Sequence, residues 1–83
     1  MSVIVRPHIT EKAMDLMDFD NKMQFIVDLD ATKDEIQESI ETAYDVEVAD
    51  VNTQITMDGE KKATVTFVGE EVAQDLASRI GAF

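Results

Sequence analysis

Met23, Phe25, Val27 and Leu29 alternate with Gln24 and Asp28, the period of two of a strand with one face buried. Ile26 interrupts the polar side, so that side is expected to be partly covered. Ahead of this strand, Thr10 is placed to cap a helix through Ala13, Met14 and Met17, with Glu11 in the first turn, where a carboxylate suits the helix dipole. That helix should end near Asp18, and Phe19-Asp20-Asn21-Lys22 reads as a turn. Thr32-Lys33-Asp34-Glu35 is a capping box opening a second helix, which carries Ile36, Ile40, Ala43 and Tyr44 inward and Asp34, Gln37, Glu38 and Glu41 outward.

An extended run from Val46 to Thr56 follows, but Val46 and Val48 are out of phase with Val51, Thr53 and Ile55, which predicts a bulge near Ala49-Asp50. Asp58-Gly59 signals a hairpin, and Ala63, Val65 and Phe67 then alternate with Lys62, Thr64 and Thr66 in a returning strand. Gly69 breaks it. The last helix carries Val72, Leu76 and Ile80 at steps of four, with Gly81 placed as its C-terminal cap. With a short strand at Val3 to Val5, the order predicts an α+β fold. It is a split β-α-β unit in a mostly antiparallel sheet of about four strands, with helices packed on it.

The 83 residues have room for one domain (1–83), with no repeat, linker or deep catalytic cleft. No cysteine is present, so disulfides, thiolate metal sites and a Cys nucleophile are excluded and a reducing compartment is expected. The N-terminal apolar run is too short for a signal peptide, and no stretch has the length of a membrane span, so the chain reads as cytoplasmic, with no membrane insertion. Lys plus Arg is 7 against 18 for Asp plus Glu, a net charge of -11. By itself this argues against nucleic acid, whose phosphates attract cations. It fits either an acidic interaction module or the carboxylate-rich surface of a halophile protein, which salt screens.

Few residues suit catalysis. Asp28, Asp30 and Thr32 begin a calcium-loop spacing, but Lys33 stands where Gly is needed and Ser39 where Glu is needed. His8 is the one histidine and reads as structural. The three glycines sit at segment ends and form no phosphate loop. The five methionines read as core filler. No cofactor is implied. What remains is a set of cations at element boundaries, able to converge on one sheet edge: Arg6-Pro7-His8 before the first helix, Lys12 in its first turn, Lys22 and Lys33 flanking the first long strand, and Lys61-Lys62 opposite Asn52-Thr53.

At these residues the chain resembles the large-subunit ribosomal protein family numbered twenty-three. The segments that carry the resemblance are Arg-Pro-His-Ile-Thr-Glu-Lys-Ala at 6–13, Asn-Lys-Met-Gln-Phe-Ile-Val at 21–27, Ala-Thr-Lys-Asp-Glu-Ile at 31–36, Val-Glu-Val-Ala-Asp-Val-Asn-Thr at 46–53 and Lys-Lys-Ala-Thr-Val-Thr at 61–66. They run in family order over nearly the whole chain. The resemblance implies a non-enzymatic ribosomal protein that binds large-subunit ribosomal RNA near the rim of the peptide exit tunnel. It also implies neighbouring ribosomal proteins, and docking of exit-site factors such as the signal recognition particle, as partners. Carried over residue by residue, it assigns Arg6, Pro7, His8, Thr10, Lys12, Lys22, Lys33, Asn52, Thr53, Lys61 and Lys62 to RNA, and Glu11 to factor docking.

Two features depart from the bacterial pattern. Thr56-Met57-Asp58-Gly59-Glu60 is short and acidic where bacterial members carry a long basic hairpin, which looks archaeal and counts against a tunnel-lining role. Met23 replaces the usual aromatic, a change the core is expected to absorb. Two rival readings use a similar fold. One is an acidic ferredoxin-like interaction or ligand-sensing domain without RNA. The other is an acylphosphatase-type enzyme, for which the Gly-rich loop with an embedded Arg is missing.

Overall fold

The computed structural model describes residues 3–81. Its elements in chain order are β1 (Ile4–Pro7), α1 (Glu11–Phe19), β2 (Lys22–Val27), α2 (Lys33–Tyr44), β3 (Val48–Ile55), β4 (Lys61–Phe67) and α3 (Val72–Arg79). The four strands form one sheet in the order β1-β2-β4-β3, and every neighbouring pair is antiparallel. β2 and β3 are therefore parallel, joined through α2, with β4 inserted between them. This is the split unit expected from the order of the elements.

Local chemistry starts the first two helices. Thr10 Oγ1 accepts the Ala13 N–H at 3.1 Å to open α1. At α2 the capping box is complete: Thr32 Oγ1 accepts from Glu35 N–H and Glu35 Oε1 accepts from Thr32 N–H. α3 has no cap of its own, since Glu71 at its N-cap is left-handed and makes no side-chain capping bond. Instead Asn21, held at φ 54° in the turn before β2, accepts the Ala73 N–H at 2.9 Å. The same side chain donates to the carbonyls of Phe67 and Gly69. One asparagine thus ties the start of β2 to the end of β4 and to the first turn of α3.

The core lies between the helices and one face of the sheet. Met23, Phe25 and Val27 of β2 and Ala63, Val65 and Phe67 of β4 meet Met17 of α1, Ile36 and Ile40 of α2, and Ala73, Leu76 and Ala77 of α3, all buried. Met23 is fully buried, as expected. The register of β3 shifts between Val48 and Asp50, which is the bulge the phase change required; it returns both Val48 and Val51 to the core side. The hairpin closes through Gly59 (φ 82°), whose N–H donates to the Thr56 carbonyl, in the three-residue loop that needs a left-handed last residue.

Several details differ from the sequence expectation. The first strand spans Ile4–Pro7 rather than Val3 to Val5. Being an edge strand it accommodates Pro7, and a bulge falls between Ile4 and Arg6. β2 stops at Val27 because Asp28 turns the chain, accepting the Asp30 N–H on its carboxylate, and Leu29 is left exposed. Ala43 of α2 is exposed rather than inward. Glu41 is not a solvated charge, for its carboxylate accepts the Val48 N–H at 3.0 Å, tying the end of α2 to the start of β3. Met14 and Met57 are exposed, so core filling describes only Met17 and Met23, and Met1 lies outside the described residues.

Candidate nucleic-acid interface

Strand alternation sends the even-numbered residues of β2 and β4 away from the helices, and the bulges bring β1 from Arg6 on and β3 from Asp50 on into the same phase. Cross-strand register then arranges them in rows. Arg6, Ile26, Lys62 and Gln54 form one row; Gln24, Thr64 and Asn52 a second; Lys22, Thr66 and Asp50 a third. His8 continues the second row, its N–H donating to the Gln24 carbonyl. Apart from Ile26, this helix-free face is polar. Gln24 is buried there but satisfied, donating to Thr64 Oγ1 at 3.2 Å. Ile26 is 3% exposed although it lies on the helix-free face, in register between Arg6 and Lys62. The expectation that Ile26 marks a partly covered polar side is thereby met.

Charge is distributed unevenly between the two layers. Of the eighteen carboxylates only Asp50 lies in a strand, whereas four of the seven cations, Arg6, Lys22, Lys61 and Lys62, do. The acids crowd the helices and loops, and the open sheet face is the least acidic broad surface. Asp50 there is partly occupied by Asn52 Nδ2, at 3.3 Å. Lys12, Lys22, Lys33 and Lys62 make no ion pair among the described residues, although carboxylates outnumber cations throughout the chain. Their ammonium groups are open to an external anion.

The residues expected to contact RNA do not all converge. Arg6, His8, Lys22, Asn52 and Lys62 share the open face. Pro7, Thr53 and Lys61 pair with Phe25, Ala63 and Val27 on the core-side phase. Lys61 Nζ donates to the Ala31 carbonyl at 2.7 Å, clamping the turn before α2. Thr10 spends its hydroxyl on the α1 cap. Lys22 and Lys61 sit at opposite ends of the β2–β4 ladder, so the cations do not meet at one edge; they are spread across a face. Lys12 and Lys33 stand in the first turns of α1 and α2, both exposed. Glu11 is exposed beside Lys12 and makes no hydrogen bond among the described residues.

Sequence reasoning passed over Gln24, Gln54, Thr64 and Thr66 as parts of this face, although their phase with Lys62 was visible. It could not have found Glu60. Arg6 Nη2 donates to Glu60 Oε1 and Oε2 at 3.1 and 2.9 Å, a contact between residues 54 positions apart. An open groove of about 490 Å³ also runs between β1 and α2, lined among others by Ile4, Pro7, Ser39, Thr42 and Tyr44. Its lining contains no histidine, and Glu38 is its one carboxylate. No helix of the described residues is long and apolar enough to cross a membrane.

The family model described as ribosomal protein L23 matches residues 2–74. The large ribosomal subunit protein uL23 of Halobacterium salinarum is 63% identical over 82 residues, covering 99% of this chain and 98% of that protein. Its counterpart in Haloarcula marismortui is 58% identical, over 98% of this chain and 95% of the other. That of Methanobrevibacter smithii is 45% identical, over 99% and 95%. By these matches, to relatives of halophilic archaea above all, the chain belongs to the ribosomal protein L23 family, whose members are structural and not enzymes.

Proposed function

We propose that this protein is a structural component of the large ribosomal subunit in the cytoplasm, and that it binds large-subunit ribosomal RNA through the open face of its sheet, near the polypeptide exit tunnel. The observation that carries the reading is the charge partition. A chain of net charge -11 has nearly cleared its sheet of carboxylates and left Lys22 and Lys62 there without acidic partners among the described residues. A surface serving solubility alone has no reason to separate the signs in this way, whereas phosphate contacts need unpaired cations with a direct approach. Thr64, Thr66, Asn52 and Gln54 add neutral hydroxyl and amide groups suited to phosphate and 2′-hydroxyl oxygens.

Lys12 and Lys33 extend the contact to the first turns of α1 and α2. Glu11, exposed and without a hydrogen bond among the described residues, is available to an exit-site factor such as the signal recognition particle, and neighbouring ribosomal proteins cover part of the remaining surface. Hydroxyl-radical footprinting of large-subunit RNA in molar KCl tests the RNA reading. Protected nucleotides should lose protection when Lys22 and Lys62 are both replaced by Ala. An unchanged footprint from a folded double variant would exclude the open face as the interface.

A further inference from the structure

We propose that Glu60 is a positioning residue for RNA binding: it holds the Arg6 guanidinium over the open sheet face with its remaining donors free for a phosphate. The inference rests on the RNA reading above and adds a residue of the wrong charge to it.

The geometry of the pair is specific. Both carboxylate oxygens of Glu60 take their hydrogen bonds from Nη2 alone. Nη1 and Nε of Arg6 therefore keep three N–H groups with no partner among the described residues. The Arg6 side chain remains 52% exposed and that of Glu60 37%, so the pair lies at the surface and a phosphate can reach it. β1 supplies Arg6 and the base of the β3–β4 hairpin supplies Glu60, so the contact spans β2 from above. In register below it lies Ile26, and beyond Ile26 lies Lys62, about two strand spacings or roughly 10 Å from Arg6.

A free arginine at an exposed edge strand samples many rotamers, and fixing it on binding costs entropy. The carboxylate supplies that ordering beforehand. It also leaves the guanidinium plane anchored at one nitrogen, so that the Nε–H and the Nη1–H groups, on separate edges, remain for single contacts with phosphate oxygens. Glu60 loses its own repulsion toward RNA in the same contact, since its two oxygens are already committed to a cation. A carboxylate at the rim of an RNA face is thereby tolerated, and its presence has a use.

The opposite role is a shield, in which Glu60 competes with phosphate for Arg6. The two roles predict opposite signs. Binding of deproteinised large-subunit RNA from Halobacterium salinarum would be measured as a function of KCl for the full chain and for Glu60→Gln, Arg6→Ala and the double variant, with melting curves as the folding control. Positioning predicts that Glu60→Gln weakens binding about three- to tenfold, the range for ordering one long side chain, even though the change removes a negative charge. In the Arg6→Ala background the same substitution should have no such effect, which a purely structural role of Glu60 would not produce. Arg6→Ala alone should lower the slope of log affinity against log salt by about one. Tighter binding by Glu60→Gln, or equal weakening with and without Arg6, overturns the positioning role while leaving the RNA face in place. An unchanged slope in both Arg6→Ala and Lys62→Ala overturns the RNA face and the positioning role together.

Discussion

Lys61 and Lys62 are adjacent in sequence and leave β4 on opposite sides, and the structure gives them unlike neighbours. Lys61 is bound to the Ala31 carbonyl in a half-buried site, whereas Lys62 stands on the open face with no ion pair among the described residues. Lys61→Ala should therefore cost about 1 kcal/mol of stability, the scale of a hydrogen bond from a charged donor at a partly solvated site, and leave the salt slope of RNA binding unchanged. Lys62→Ala should do the reverse, lowering the slope by about one with no change in melting temperature. Equal effects of the two substitutions on RNA binding would mean that strand alternation does not sort them. At Glu11, whose side chain makes no hydrogen bond among the described residues, Glu11→Ala should leave incorporation into large subunits intact while reducing capture of the signal recognition particle by those subunits. Failure to assemble would make Glu11 structural and remove the docking assignment.

Among the elements, α3 is the one whose beginning depends most on another part of the chain. Asn21→Ala removes the acceptor for Ala73 N–H and both donors to the β4 end, and it places a β-carbon residue less tolerant of φ 54° in the same turn. A loss of about 2–3 kcal/mol in urea unfolding is expected. Asn21→Gly tolerates the dihedral but still lacks the side chain, so full stability in that variant would assign the effect to backbone strain alone. What could be read from sequence divides along the same line. The capping box at Thr32 and Glu35, the bulge after Val48 and the turn at Gly59 are set by residues a few positions apart, and periodicity or turn chemistry exposes them. Asn21 and Glu60 act on partners that only the folded sheet brings near, and no local pattern marks them. The same limit explains the candidate interface. Its cations were visible as residues, but their distribution over a face, and the loss of Lys61 and Thr10 to structural bonds, depend on register and packing.

For the molecule as a whole, the partition of charge has opposite consequences in and out of its complex. The helical layer carries Glu11, Asp15, Asp18, Asp34, Glu35, Glu38 and Asp75 with few cations to offset them. Repulsion among these groups weakens the free fold when salt is low. The melting temperature of the isolated protein should thus rise between dilute buffer and molar KCl, and a flat profile would show that packing, not screening, limits its stability. RNA binding should weaken over the same range, since counterion release favours dissociation as salt rises.

The insertion of β4 between β2 and β3 has a temporal consequence during synthesis. A ribosome delivers β1, α1, β2, α2 and β3 in turn, yet β2 and β3 share no hydrogen bonds; each waits for the residues from Lys61 to Phe67, which come near the end. Until then the nascent chain has only the β1–β2 ribbon, and two strands alone are marginal in water. Vectorial, stepwise acquisition of structure is thereby blocked, and the sheet should close in one late event dominated by contacts distant in sequence. Chains arrested before Lys61 should show no cooperative unfolding and little amide protection in β3, while extension through Phe67 should restore both; protected β3 amides in the shorter chain would refute this order of events.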